Sequence, residues 1–331
     1  MNVMPRRPFG STGEFVPALS MGCSPFRVDT ASEHIAAVRR AVELGMNYFD
    51  TAPYYGNGQS QRVLGEALAQ ISEPVFVATK VGHLNDRASY RNADAILAQA
   101  HENLRVLGRD HVDLLQLHEA EWRGWWSDNE PSNVPINLEE ALDYAGAPAM
   151  QALRKAREQG LCRFIGITGN TSALMGHVLK QVDVDSMLVA YNYDPIWRGA
   201  VNHAIPIAHE KGAAFISAGP LFNGKFAAVH LEWLDDPPAW MTADIAERYA
   251  TLCEIRGKVG LSMPELAIRF VISDPNISTL LTASITVDQV QQNFDAAVAG
   301  PLPRDIHKLL NRIGLYGPEI RSWLFDFWKL M

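Results

Sequence analysis

Four polar side chains fall at, or just past, the ends of short apolar runs. Asp50 closes MNYF, Lys80 closes VFVAT, His118 closes VDLLQL, and Tyr55 lies five residues beyond Asp50 in FDTAPYYGNGQS. Their types fit one chemistry. A phenol, with an unperturbed pKa of about 10, is a poor acid or base at neutral pH. A nearby lysine ammonium favours the phenolate and lowers that pKa, and a carboxylate fixes the lysine's position and charge. An imidazole beside the phenol can hydrogen-bond to a carbonyl or hydroxyl oxygen and orient it. Together the four can move a proton on and off an oxygen while bonding changes at its carbon. Taken singly, each has a plainer reading: a turn or N-cap aspartate, polar rim residues, a packed loop aromatic. Their occurrence together, in this order, carries the chemical reading.

The elements that must position them alternate at a steady pace. Apolar, β-branched runs at 16–21, 46–50, 75–80, 112–118, 163–168, 186–191, 213–218 and 278–282 read as eight strands. Helical spacing fills the gaps, as in AVRRAVELG, ILAQAHENLRVLG, AMQALRKAREQG and ELAIRFVIS. Gly45, Gly108, Gly160 and Gly212 each end a helical pattern just before a strand, as a left-handed C′ residue does. Eight strand–helix units predict an α/β fold, a closed (β/α)₈ TIM barrel spanning residues 1–331 as a single domain. The segment RRPFGSTGEFVPALS predicts a β-hairpin ahead of the first strand, with Ser11-Thr12-Gly13 at its turn. Active sites of such barrels lie at the C-terminal ends of the strands. Asp50, Lys80 and His118 end the second, third and fourth strands, so they and Tyr55 are expected on one side of the mouth.

Two stretches depart from the alternation: a long connection over 119–148 with Trp122, Trp125 and Trp126, and an aromatic tail over 320–331. Long barrel-face loops usually carry function or disorder, and the tryptophans favour function. The tail, with Trp323, Phe325, Phe327 and Trp328, reads as a cover for the barrel or a pocket lid.

Composition narrows the function classes. The 331 residues carry a net charge of −8 with scattered cations, which leaves no footprint for nucleic acid or an anionic membrane. No apolar run approaches a membrane span. Three cysteines (Cys23, Cys162, Cys253) without CxxC or Cys/His spacing indicate neither a disulfide framework nor a metal site. The N-terminal MNVMPRRPFG lacks the apolar core of a signal peptide, so a cytoplasmic protein is expected; the sequence is silent on oligomeric state, and a monomer or homodimer is the default expectation. Gly56-Asn57-Gly58 is no dinucleotide fingerprint, since the third glycine position is Gln61. Its glycines instead let the chain turn from Tyr55 into the next helix.

At this point the residues resemble a known family, the aldo-keto reductases. GMNYFDTAPYYGNGQSQRVLGEAL is similar to that family's most specific signature, and VFVATKVG and VDLLQLHE to its later blocks in order. FIGITG, SAGPLFNGKF and LTASITVDQVQQN are looser matches. The resemblance implies that Tyr55 is the general acid or base, Lys80 its pKa modifier, Asp50 the lysine's partner and His118 the group that orients the substrate oxygen. It implies nicotinamide-side contacts from Gly22, Asp50, Thr168, Gly219 and Leu221, and adenosine-side contacts from Ser284, Gln289, Gln292 and Asn293. Where relatives that prefer NADP carry Lys or Arg, this chain has Ala283, Ile285 and Gln289, which favours NAD over NADP. The family's Ser-Asn pair reads Thr168-Gly169, its strand-six glutamine Leu188, and the tyrosine that stacks on nicotinamide Ala218.

FIGITG and FISAGPL resemble the aldose dehydrogenase branch, which oxidises the anomeric carbon of a cyclic sugar to a lactone with NAD(P). The expected substrate is then a sugar or small aldehyde, met by Tyr54, Trp122, Trp125 and Trp126. The tryptophan loop has an alternative reading as a dimer contact or internal packing. The alternatives for the whole chain are an NADPH-dependent carbonyl reductase and, from another class, a nucleotide-binding regulatory subunit.

Overall fold

Each barrel strand is only three to eight residues long and mostly apolar, so each can bury both faces only in a sheet covered by helices. The computed structural model describes residues 3–84, 86–129 and 134–317. A short antiparallel pair, β1 (Arg6–Pro8) and β2 (Phe15–Pro17), precedes eight parallel strands. These are β3 (Leu19–Gly22), β4 (Tyr48–Asp50), β5 (Phe76–Val81), β6 (Val112–Leu117), β7 (Cys162–Gly169), β8 (Ser186–Ala190), β9 (Ala214–Ala218) and β10 (Thr279–Thr282). β10 pairs back onto β3 and closes the (β/α)₈ barrel.

The first expected strand divides. Val16 and Pro17 belong to the hairpin, and the barrel strand begins at Leu19. One apolar run serves both sheets, with Pro17 ending the first. The four C′ glycines are all left-handed, with φ of 80°, 64°, 74° and 66° at Gly45, Gly108, Gly160 and Gly212.

The helices follow the strands in order: α1 (Ala31–Glu43), α2 (Gln59–Leu68), α3 (Arg87–Tyr90), α4 (Ala93–Leu107), α5 (Pro148–Glu158), α6 (Ser172–Gln181), α7 (Gly199–His203), α8 (Ile205–Lys211), α9 (Ala243–Val259), α10 (Met263–Ile272), α11 (Val287–Val298) and α12 (Arg304–Arg312). Side-chain caps start several of them: Asn92 accepts from the Asp94 and Ala95 amides, Ser262 from Glu265, and Thr286 from Gln289. Among the described residues no helix is long and apolar enough to cross a membrane.

Two apolar layers result. An inner cluster fills the barrel with Tyr48, Phe76, Ala78, Leu114, Leu188 and Ile216, while a larger one lies between strands and helices. The hairpin contributes to the inner layer. Phe9, fully buried in its turn, packs 5.2 Å from the Phe76 ring and 5.7 Å from Phe164. Arg7 donates to the Asp274 and Ile277 carbonyls at 2.9 and 2.8 Å, tying the hairpin to the approach to β10. A Cβ on Gly10 would lie 2.5 Å from the Gly212 carbonyl, so the turn can sit this close only as glycine. The tail over 320–331, with its four aromatics, lies outside the described residues.

Candidate active site

Period two in a barrel strand sends alternate side chains inward, and the strand end decides which of them reaches the rim. Asp50, the last residue of β4, and Lys80, next to last in β5, are both buried and form an ion pair. Lys80 Nζ also donates to the Thr51 carbonyl at 2.9 Å. The second Asp50 oxygen accepts from Gln116 Nε2 at 2.9 Å. Gln116 carries a signal in the sequence only through its place two residues before His118, which lies just past the end of β6.

Tyr55 reaches the same place from the loop. Its ring lies 4.8 Å from Lys80 Nζ and meets the His118 ring edge-on at 5.6 Å and 88°. Gly56, Asn57 and Gly58 follow with φ of 57°, 53° and 84°, three left-handed residues that turn the chain sharply into α2. Behind the turn, Ser60 Oγ bonds to Thr51 Oγ1 and donates to the Cys23 carbonyl, both at 2.7 Å, while Gln61 Nε2 donates to Thr79 Oγ1 at 2.8 Å. The GNG stretch therefore aims Tyr55 and is fixed to the barrel from beneath.

Electrostatics divide the roles. Burial pushes the Tyr55 phenol above its ordinary pKa; the Lys80 ammonium pulls the other way but does not win. This differs from the expected lowering, because desolvation of a phenolate at this depth outweighs one ammonium that is already shared with a carboxylate. Burial works against the Lys80 charge, yet Asp50 and Tyr55 outweigh it and hold its pKa above the usual lysine value. Burial, then Lys80 and His83, keep His118 well below the ordinary imidazole range, so it is neutral at physiological pH. Its Nδ1 is buried without a hydrogen-bond partner among the described residues. Burial also raises the Cys23 thiol well above its usual value, so it is no thiolate nucleophile.

Beside His118 opens a cavity of about 390 Å³ whose lining includes His83, Tyr90, Glu119, Trp122 and Trp125. Two of the three expected tryptophans thus face it. Trp126 does not: its indole donates to the Ala120 carbonyl at 2.8 Å and packs against Tyr144 at 5.0 Å. Trp125 is buried, its indole donating to the His118 carbonyl at 3.1 Å. Its ring and the His118 Cβ crowd Gly82, where an added Cβ would lie 2.9 Å from the latter. Tyr54 is half exposed, stacked on His83 at 3.8 Å and 15°.

The expected cofactor contacts are spread around the mouth, some of them directly beside the four residues. Gly22 closes β3 opposite Asp50. Thr168 is buried near the end of β7, where its Oγ1 accepts from the Glu119 amide at 3.3 Å and its carbonyl from Ala120 at 2.8 Å. Leu221 is half buried past β9, and Gly219 is left-handed with φ 72°. A Cβ on Gly219 would lie 2.6 Å from the ring of Tyr191, which itself follows β8 with φ 60°. Tyr191 had no signal in the sequence; its ring fills the rim beside Ala218, and burial lifts its pKa to about 12.

At the start of α11, Ser284 is buried and accepts from Asn293 Nδ2 at 2.9 Å, and Gln289 Oε1 accepts from the Ile285 amide at 2.9 Å. Gln292 is exposed. The sequence has no Lys or Arg between Arg269 and Arg304, and Asp288 lies in the first turn of α11. Arg40 of α1 reaches this helix but is held by Gln291 and Glu43.

A profile of the aldo/keto reductase family matches residues 19–314. An L-galactose dehydrogenase from Arabidopsis thaliana is 29% identical over 304 residues, covering 88% of this chain and 87% of that protein. A D-threo-aldose 1-dehydrogenase from Pseudomonas sp. is 26% identical over 317 residues, covering 87% and 91%. The solved holo form of an aldo-keto reductase from Bacillus halodurans superposes with a TM-score of 0.75 at 22% identity, covering 96% of this chain and 99% of that one.

Proposed function

The chain belongs to the aldo/keto reductase family and is an NAD(P)-dependent oxidoreductase, and from that premise we propose that it oxidises the anomeric carbon of a cyclic aldose to a lactone, with NAD as the preferred acceptor. The observation that carries the reading is the meeting of Tyr55, Lys80, Asp50 and His118 beside a cavity walled by Trp122 and Trp125.

The rim supports a nicotinamide cofactor. The four residues can give and take protons but hold no group that can take up electrons, and Gly219 leaves room for the Tyr191 ring, which a Cβ there would meet at 2.6 Å. When bound, the nicotinamide supplies the carbon that accepts hydride. Gly22, Thr168, Gly219, Leu221 and Tyr191 would hold its ring end, and Ser284, Gln289, Gln292 and Asn293 the adenosine end. With Ser284 and Gln289 engaged internally and Asp288 in the first turn, a 2′-phosphate would meet no Lys or Arg of this helix or the loop before it, and a carboxylate there opposes it.

The residues then act as follows. Neutral His118 hydrogen-bonds to the anomeric oxygen and fixes the sugar. Tyr55 Oη, as phenolate, takes the anomeric hydroxyl proton while the C1 hydrogen departs with its electron pair. Lys80 stabilises the phenolate, and Asp50, anchored by Gln116, keeps Lys80 charged and in place.

The raised Tyr55 pKa favours a second reading in the same site. A protonated phenol is ready to donate, so at neutral pH reduction of a carbonyl is the easier direction. The two directions have opposite pH signatures. Only the phenolate accepts a proton, so oxidation should climb about tenfold per pH unit from neutrality toward the phenol pKa. Reduction should stay flat over the same range. A flat oxidation profile with proton transfer rate-limiting would remove Tyr55 as the base.

Binding of NADH and NADPH, each titrated against tryptophan fluorescence, tests the cofactor. NADH should bind at least about tenfold more tightly, the worth of one unsatisfied charged contact. A preference for NADPH would overturn the NAD assignment and bring carbonyl reduction forward. An aldose screen with NAD, read as NADH formation, tests the reaction itself.

A further inference from the structure

Two residues of the cavity wall stand in backbone conformations that side chains rarely adopt: His83 with φ 51° and Glu119 with φ 55°. Neither is glycine or asparagine, and strain of this kind persists mainly where function requires it. The two meet, His83 Nε2 lying 3.3 Å from Glu119 Oε2. Their side chains are 26% and 21% exposed, so both remain open to the cavity. Glu119 also accepts from the Trp122 indole at 3.0 Å and from Asn170 Nδ2 at 3.3 Å. Two of these three contacts are long for N–H···O bonds, and a carboxylate has about four acceptor positions. Its capacity is therefore unspent on the cavity side. The bond from the indole fixes the Trp122 ring to the same carboxylate, so one residue sets both a polar and an aromatic surface.

We propose that Glu119 and His83 form a subsite for the ring hydroxyls of a pyranose, with Glu119 accepting from two adjacent hydroxyls, His83 Nδ1 accepting from a third while its Nε2–H faces Glu119, and the Trp122 face packing on the sugar's C–H side. The subsite deepens the aldose reading and rests on it. It makes the two residues determinants of sugar selectivity, separate from the proton transfer at Tyr55. A loop staple of the same geometry would serve stability alone and would not distinguish one ligand from another.

The test compares two ligands that share an anomeric hydroxyl: a hexopyranose panel, and 2-hydroxytetrahydropyran, which carries the ring without further hydroxyls. Binding to the NADH complex is measured by calorimetry for the wild type, E119Q and H83N. Asparagine tolerates the left-handed backbone but is too short to reach Glu119, so H83N carries the test if E119Q does not fold. The expected result is a loss of hexopyranose affinity of about tenfold or more in E119Q, with 2-hydroxytetrahydropyran affinity moving less than about threefold. H83N should shift the same ratio in the same direction by a smaller factor. Equal weakening of both ligands, no weakening of either, or a wild type that binds no hexopyranose would each overturn the subsite. Hexopyranose binding that is selective in this way but never followed by NADH formation would sink the dehydrogenase reading and leave the subsite standing.

Discussion

Tyr55→Phe is expected to lower turnover by a factor of about 10² or more while cofactor binding is kept. The variant isolates one atom. The ring remains over Lys80 and edge-on to His118, so the packing that holds it, at 4.8 and 5.6 Å, survives. What disappears is the Oη that takes or gives the proton. No neighbour replaces it, since burial makes His118 too weakly basic to hold the proton and Lys80 is locked to Asp50. The alkaline rise in oxidation should vanish with the hydroxyl. Steady-state kinetics and a cofactor titration on the same preparation measure both halves. Activity within a few-fold of wild type would remove Tyr55 from the proposed mechanism.

The second large effect joins stability to catalysis. Lys80→Met fills nearly the same volume but strands the buried Asp50 with Gln116 as its one side-chain donor among the described residues. Breaking a buried pair from one side costs about 3–5 kcal/mol. Because Lys80 is more basic in the fold than free lysine, its contribution is fully present below the free-lysine pKa and is lost only as pH rises through the folded value. The loss should therefore be constant across neutral pH. Adding Asp50→Asn removes the orphaned charge, so the double variant should regain much of the denaturation midpoint while turnover stays low. That split distinguishes a residue that supports the phenolate from one that merely fills the barrel. A single variant as stable as wild type in urea would contradict the buried pair.

Much of this arrangement was legible before the fold was known, for a local reason. A polar residue closing an apolar run must surface at the strand end, so Asp50, Lys80 and His118 announced their rim positions, and the C′ glycines announced the helix ends. The first strand was misplaced because one apolar stretch feeds two sheets, and periodicity cannot tell where a hydrogen-bonding partner changes. The Tyr55 pKa went the other way because burial is set by the elements around a loop, none of them near it in sequence. Trp122, Trp125 and Trp126 look alike in a string, but a single turn of 3₁₀ helix sends neighbours in different directions, and only the fold shows that Trp126 turns inward. His83 and Glu119 were invisible for the same reason as Tyr191: a left-handed backbone in a residue other than glycine leaves no mark in composition or spacing.

The hairpin under the barrel has a consequence for the chemistry at the opposite end. Phe9 stoppers the strand cylinder from below, so Asp50 and Lys80 sit in a blind well whose polarisability is set by hydrocarbon rather than by water. The attraction between them scales inversely with the local dielectric. Residues 6–17 touch none of the reacting groups, yet they hold the electric environment in which a phenol is tuned. Substitutions that let solvent rise through the base of the well would change the pH dependence of the enzyme from the far side of the molecule.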